Sequence, residues 1–129
     1  MLDIALLPGE YAVCRLAAGS AVPAGLLSAG DGAGVVSITS SADETSIICP
    51  ADRVPRDATV ETPWRCLQVV GPFHLALTGI LASVVGPLAD ARVNIVAFST
   101  YDTDYVLVPA VRLDEALAAL STAGHRVAA

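Results

Sequence analysis

The stretch FSTYDTDYVLVP, Phe98 to Pro109, places Ser99, Thr100, Tyr101, Asp102, Thr103 and Asp104 between two apolar runs. Hydroxyls and carboxylates at this density can ligate a hard cation, receive an ammonium group, or supply the local hydrogen bonds of a solvated turn. A calcium loop wants more oxygen ligands and a glycine at a fixed offset, and a strand-end DxD phosphotransferase needs a larger α/β scaffold and usually a lysine. All seven basic residues are arginines. The lack of lysine removes P-loop, Schiff-base and lysine general-base chemistry, and metal catalysis is not expected.

A second stretch, GPFHLALTGILAS, Gly71 to Ser83, complements the first. A strand ends at Val70, the chain turns through Gly71-Pro72, and helical spacing begins near Thr78-Gly79-Ile80. Free N–H groups and the positive end of the helix dipole then face the loop, where a carboxylate can sit. Beside a loop that carries carboxylates, such an end is complementary to a zwitterion. A free amino acid is the ligand class this implies.

Other candidates have weaker grounds. His74 and His125 are the only histidines, and neither has a partner at metal-ligand spacing; a loop residue and a strand-edge residue are the plain readings. No nucleophile-elbow spacing joins Ser, His and Asp, so no enzyme is expected. Gly30, Gly32 and Gly34 alternate and lead into a strand, unlike a dinucleotide fingerprint, and read as a turn. Cys14, Cys49 and Cys66 form no CxxC pair and read as buried, reduced thiols rather than a zinc site or disulfide framework.

Composition narrows the class. At 129 residues, the chain is one ordinary domain or two very small ones. It is 54% hydrophobic, but Asp, Arg, Gly or Pro interrupts each apolar run, so no membrane span is expected. MLDIALLPGEYAV has an acid at Asp3 and no basic region before its short apolar run, unlike a secretion signal, and the expected compartment is the cytoplasm. A net charge of −6 with single, scattered arginines disfavours nucleic acid.

The elements that must position these residues follow from periodicity. Strands are expected at Tyr11 to Leu16, Val35 to Ser40, Ser46 to Cys49, Arg65 to Val70, Asn94 to Ser99 and Tyr105 to Val108. Ile80, Leu81, Val84, Val85 and Leu88 share one face of a helix from about Thr78 to Ala91, with a kink or tightened turn expected at Gly86-Pro87. Leu113, Ala116, Leu117 and Leu120 mark a second helix that Gly124 stops, and a last short strand lies around His125 to Ala128. The second half thus reads βαββαβ, a ferredoxin-like unit with both helices on one face of an antiparallel sheet.

The first half resembles a worn copy of the second. ITSSADETSIICPADRV, from Ile38, aligns with FSTYDTDYVLVPAVRL, from Phe98, so that Pro50 falls on Pro109 and Arg53 on Arg112. Ala17 to Gly34, rich in Gly and Pro, replaces the long helix and sustains no more than a turn or two. The expectation is an α+β chain of two tandem ferredoxin-like units, residues 1–61 reduced and 62–129 complete.

LPGEYAVCRL, ETSIICP, WRCLQVVGP, LTGILASVVGPLADARVNIVAFSTYDTDYVLV and AGHRV together resemble the ACT domain family. The likeness is to small bacterial tandem-ACT proteins, similar to the ACT repeats of the animal cytosolic arginine sensors, the CASTOR proteins. It implies a non-catalytic, allosteric amino-acid-binding module without cofactor or metal, often a homodimer, whose ligand lies at the seam between ACT units. Carried over by position, it points to His74, Leu75, Thr78, Gly79 and Ile80 before the helix and to Thr100, Tyr101, Thr103 and Asp104 after the strand. Asp104 would face the ligand cation, and Ser46 and Ile47 would form an opposing wall. Ala76 stands where the sensors are acidic and Thr103 where they are aromatic, so arginine is not itself implied. The alternative is an ACT unit without a ligand that pairs with a partner protein.

Overall fold

The computed structural model describes residues 1–27, 34–74 and 76–128. In chain order the strands are β1 (Asp3–Leu6), β2 (Tyr11–Ala17), β3 (Ser37–Ser40), β4 (Glu44–Pro50), β5 (Thr59–Val69), β6 (Val96–Ser99), β7 (Asp104–Pro109) and β8 (Arg126–Ala128). Helix α1 (Ile80–Asp90) connects β5 to β6, and α2 (Leu113–Thr122) connects β7 to β8. The chain divides into two units: Pro8–Pro63, and Met1–Leu7 together with Trp64–Ala129. The first residues, expected in the N-terminal unit, therefore belong with the C-terminal one.

In the unit Pro8–Pro63, β4 lies between β2 and β3 and pairs antiparallel with both. Ala12, Cys14, Leu26, Ile47 and Cys49 form its core. Among the described residues this unit has no α-helix, only a single 3-10 turn at Ala51–Arg53. Gly30 and Gly32 lie outside the described residues.

The two units share local backbone features at the aligned prolines and arginines. Each unit has a hairpin that ends in an extended proline, Pro50 (φ −53°, ψ 141°) or Pro109 (φ −56°, ψ 135°), followed by one 3-10 turn ending in arginine. The Arg53 guanidinium donates to the carbonyls of Gly25 (3.0 Å) and Leu26. Arg112 correspondingly donates to the carbonyls of Arg92 (3.3 Å) and Ala91 (3.5 Å), just past the end of α1. The corresponding arginines thus reach carbonyls just past the end of α1 in one unit and those of Gly25 and Leu26 in the other.

In the C-terminal unit the strand order is β6-β7-β5-β1-β8. All neighbours are antiparallel except β1 and β8, which are parallel with Asp3 opposite Arg126. The sheet is therefore mixed, not antiparallel as expected, because β1 is inserted between β5 and β8. Hydrophobic burial accounts for the insertion: Ile4 is 1% exposed within the core, and Leu2 and Leu6 pack against it. The fold class is α+β.

Both helices bury their expected faces. Val84, Leu88, Ala116 and Leu120 are fully buried against Leu67, Val69, Val106 and Val108 of the sheet. Gly124 (φ +97°) ends α2, with the His125 N–H returning to the Leu120 carbonyl (3.1 Å), the reversal that a left-handed glycine allows. Pro87 lies within the continuous helix α1. It deprives the Ser83 carbonyl of its helical donor, since proline has no N–H.

That carbonyl finds a donor elsewhere. The Nε2–H of His125 donates to Ser83 O (2.8 Å), while the Leu2 N–H donates to His125 Nδ1 (3.1 Å). Because one partner can only accept and the other can only donate, the ring carries its proton on Nε2. His125, expected at a strand edge, is instead buried at 7% exposure and ties β1 to α1.

The three thiols are buried and free. Burial pushes Cys66 up to about 12 and Cys14 upward; burial and the neighbouring Cys14 push Cys49 up to about 12. Among the described residues, no helix is long and apolar enough to cross a membrane.

Two outcomes follow. His125→Phe keeps the bulk but removes the part-buried bonds to the Leu2 N–H and the Ser83 carbonyl, at about 0.5–1.5 kcal/mol each, so the urea midpoint should fall. The thiols should also make stability fall with rising pH. Unfolded thiols ionise near pH 9 while the folded ones stay protonated to about 12, so alkali favours the unfolded chain. Urea midpoints between pH 8 and about 10.5 measure this, and Cys66→Ala should flatten the slope.

Candidate functional site

In the C-terminal unit two loops meet at the end of the sheet. One leaves β5 at Val70 and enters α1; the other is the β6–β7 turn. The Phe73 N–H donates to the Asp102 carbonyl (2.8 Å), joining them. Glycine is required at Gly71, because a Cβ there would stand 2.9 Å from that same carbonyl oxygen.

The β6–β7 turn is internally bonded. The Thr100 N–H donates to the Thr103 carbonyl (2.8 Å), and the Thr103 N–H to Thr100 Oγ1 (3.3 Å). The Thr103 hydroxyl, 8% exposed, donates to the Val69 carbonyl and pins the turn to β5. Ser99 lies opposite Asp104 in the strand register, and its hydroxyl donates to Asp104 Oδ1. Behind the turn, Phe98 stacks on Tyr105 with ring centroids 5.0 Å apart, and burial pushes the Tyr105 phenol upward.

The loop before α1 is shaped by His74 and Gly79. His74 accepts the Ala76 N–H at Nδ1 (3.0 Å), and its carbonyl accepts the Leu77 N–H (2.9 Å). Gly79 adopts φ +79° as the N-cap of α1, with no side-chain cap. The Ser83 N–H returns to the Gly79 carbonyl (3.0 Å). The N–H groups of Ile80, Leu81 and Ala82 ahead of it have no acceptor within the helix.

Between these loops lies a cavity of about 160 Å³, with Phe73, His74, Leu77 and Ile80 on one side and residues 99–104 on the other. Of the residues pointed to by sequence, His74, Ile80, Thr100, Tyr101, Thr103 and Asp104 line it. Thr78 and Gly79 are not among its lining; they position the helix start. Leu75 lies outside the described residues. Ser46 and Ile47 belong to the other unit. Ile47 is fully buried in that unit's core, so its side chain is not available as a ligand wall; strand alternation turns it inward.

Phe73, Leu77, Ser99 and Asp102 also line the cavity and were not singled out. Pairing Ser99 with Asp104 across the hairpin is the sequence signal that leads to Ser99. Phe73 and Leu77 are apolar residues in an otherwise exposed loop. Among the described residues, no group of three His, Cys, Asp or Glu side chains could hold a metal ion.

Comparisons with known proteins place the fold. Residues 59–122 match the family model described as ACT domain, and residues 9–57 match a second model for an N-terminal domain. A crystal structure of an Agobacterium tumefaciens protein is 39% identical, with a TM-score of 0.86, over 98% of this chain and 92% of that one. The chain carries an ACT domain and belongs to the same family as that protein. Two more distant structures share the fold. The regulatory subunit of aspartate kinase from Thermus flavus has a TM-score of 0.63 at 16% identity, over 93% of this chain and 95% of that one. Aspartate kinase from Clostridium acetobutylicum has a TM-score of 0.65 at 15% identity, over 93% of this chain and 33% of that one. No curated protein sequence matches the chain.

The Gly71 contact is testable. Gly71→Ala forces Cβ onto the Asp102 carbonyl and should cost about 1–3 kcal/mol, measured by urea denaturation. Chemical-shift changes should concentrate in residues 73 and 99–104.

Proposed function

We propose that this chain is a non-catalytic, cytoplasmic regulatory module that binds a free amino acid in the cavity of its C-terminal unit, acting as a homodimer. The single observation that carries the reading is the cavity itself, in which an uncapped helix start faces a loop bearing Asp104. The free N–H of Ile80, the helix-start residue in the lining, receives the ligand carboxylate, with Gly79 setting the turn before it. Asp104 pairs with its ammonium group, held in orientation by the Ser99 hydroxyl. The ACT domain match and the shared fold with a regulatory subunit of aspartate kinase support a regulatory role.

A second reading, an ACT module without ligand that pairs with a partner protein, is favoured by the internal use of the polar groups. The Thr103 hydroxyl and one Asp104 oxygen are already bonded within the turn.

A thermal-shift screen of the twenty amino acids separates the two. A ligand at a hundred times its Kd adds about 2.7 kcal/mol, roughly 10 °C in Tm for a chain of this size. One or more amino acids should give such a shift, and Asp104→Ala should abolish it. A silent screen favours the pairing module, and a shift that survives in Asp104→Ala contradicts the assigned ammonium site.

A further inference from the structure

The cavity's lining carries a charge pattern that distinguishes among amino acids. It includes two carboxylates, Asp102 and Asp104, and neither arginine nor lysine. The only basic side chain there, His74, already accepts the Ala76 N–H at Nδ1. Opposite the carboxylates stand Phe73, Leu77 and Ile80. We infer that the cavity selects amino acids with one carboxylate and an uncharged, apolar side chain, and rejects aspartate and glutamate. This selectivity rests on the amino-acid-binding reading given above.

The physical reasons are charge, surface and size. A ligand's α-carboxylate meets the N–H groups at the start of α1, but a second carboxylate would have no cation to meet. It would leave water to stand beside Asp104, and like charges brought together without a partner are strongly disfavoured. A cationic side chain is disfavoured on different grounds. Asp104 has one oxygen engaged by Ser99 and the other assigned to the α-ammonium. Asp102 is exposed and keeps its own hydration, so a second ammonium or a guanidinium would lie against the apolar wall. Size agrees: at about 160 Å³ the cavity falls below the roughly 300 Å³ at which drug-sized pockets begin, and near the ~150 Å³ that accommodates benzene. An aliphatic side chain packed on Phe73, Leu77 and Ile80 satisfies all three conditions.

The test compares ligands of similar shape and different charge by calorimetry on the intact chain: leucine, valine, asparagine, aspartate, glutamate and lysine. Leucine or valine should bind at least about tenfold more tightly than aspartate, glutamate or lysine, with asparagine ahead of aspartate. Leu77 is 55% exposed, so Leu77→Arg should fold normally. By supplying the missing cation it should narrow or reverse the leucine-to-glutamate ratio. Aspartate, glutamate or lysine binding the native chain as tightly as leucine overturns the selectivity and leaves the amino-acid reading intact. An unchanged ratio in Leu77→Arg likewise counts against the charge argument. No heat with any of the six, together with a silent twenty-amino-acid screen, overturns the amino-acid reading and the selectivity with it.

Discussion

The imidazole of His125 bonds two parts of the C-terminal unit that also share its hydrophobic core, the entrance to β1 and helix α1. Its Nδ1 accepts the Leu2 N–H at the entrance to β1, and its Nε2–H supplies the Ser83 carbonyl in α1 with the donor that Pro87 lacks. His125 itself is placed by the left-handed turn at Gly124 that ends α2. The bond to His125 is part-buried, and it gives the carbonyl left without a helical donor by Pro87 a partner within the protein. The inserted strand β1, placed by the burial of Ile4 and by pairing with β5 and β8, is anchored further by the same ring at Leu2.

The loops around the cavity are built economically on that frame. One backbone bond, from Phe73 to Asp102, brings them together, and the absence of a side chain at Gly71 permits the approach. The hydroxyls of Ser99 and Thr103 are spent on positioning, one on Asp104 and one on the end of β5. The first N–H groups of α1 have no acceptor within the helix, and Asp104 keeps one oxygen beyond its bond to Ser99.

The two units share local features, although only one has an α-helix among the described residues. The hairpin, the proline and the arginine that follows are retained in both, and each arginine still reaches backward to backbone carbonyls. In the N-terminal unit those carbonyls belong to Gly25 and Leu26, in a segment whose glycines and prolines disfavour helix. Without an α-helix among its described residues, that unit lacks the uncapped helix start on which the cavity of its counterpart depends.

Much of this was legible in the sequence because it is local. Alternation placed every strand but β1 and missed the first six residues of β5, 3.6-residue spacing placed both helix faces, and Gly124 marked the end of α2, since each rests on side-chain pattern or backbone preference within a few residues. Most of the cavity's polar lining was also legible, from His74 and Ile80 before the helix to Thr100, Thr103 and Asp104 in the turn, because hairpin and helix start are local motifs. The tertiary structure decided the rest. Nothing local to Asp3–Leu6 specifies which unit it joins or that it runs parallel to β8; burial of Ile4 and the bond to His125, 123 residues from Leu2, decide that. Ile47 could be read as a ligand wall until the packing of Cys14, Leu26 and Cys49 turned it inward. Phe73 and Leu77 became cavity walls only when a hydrogen bond between distant loops closed the space, because contacts between remote segments leave no periodic trace along the chain.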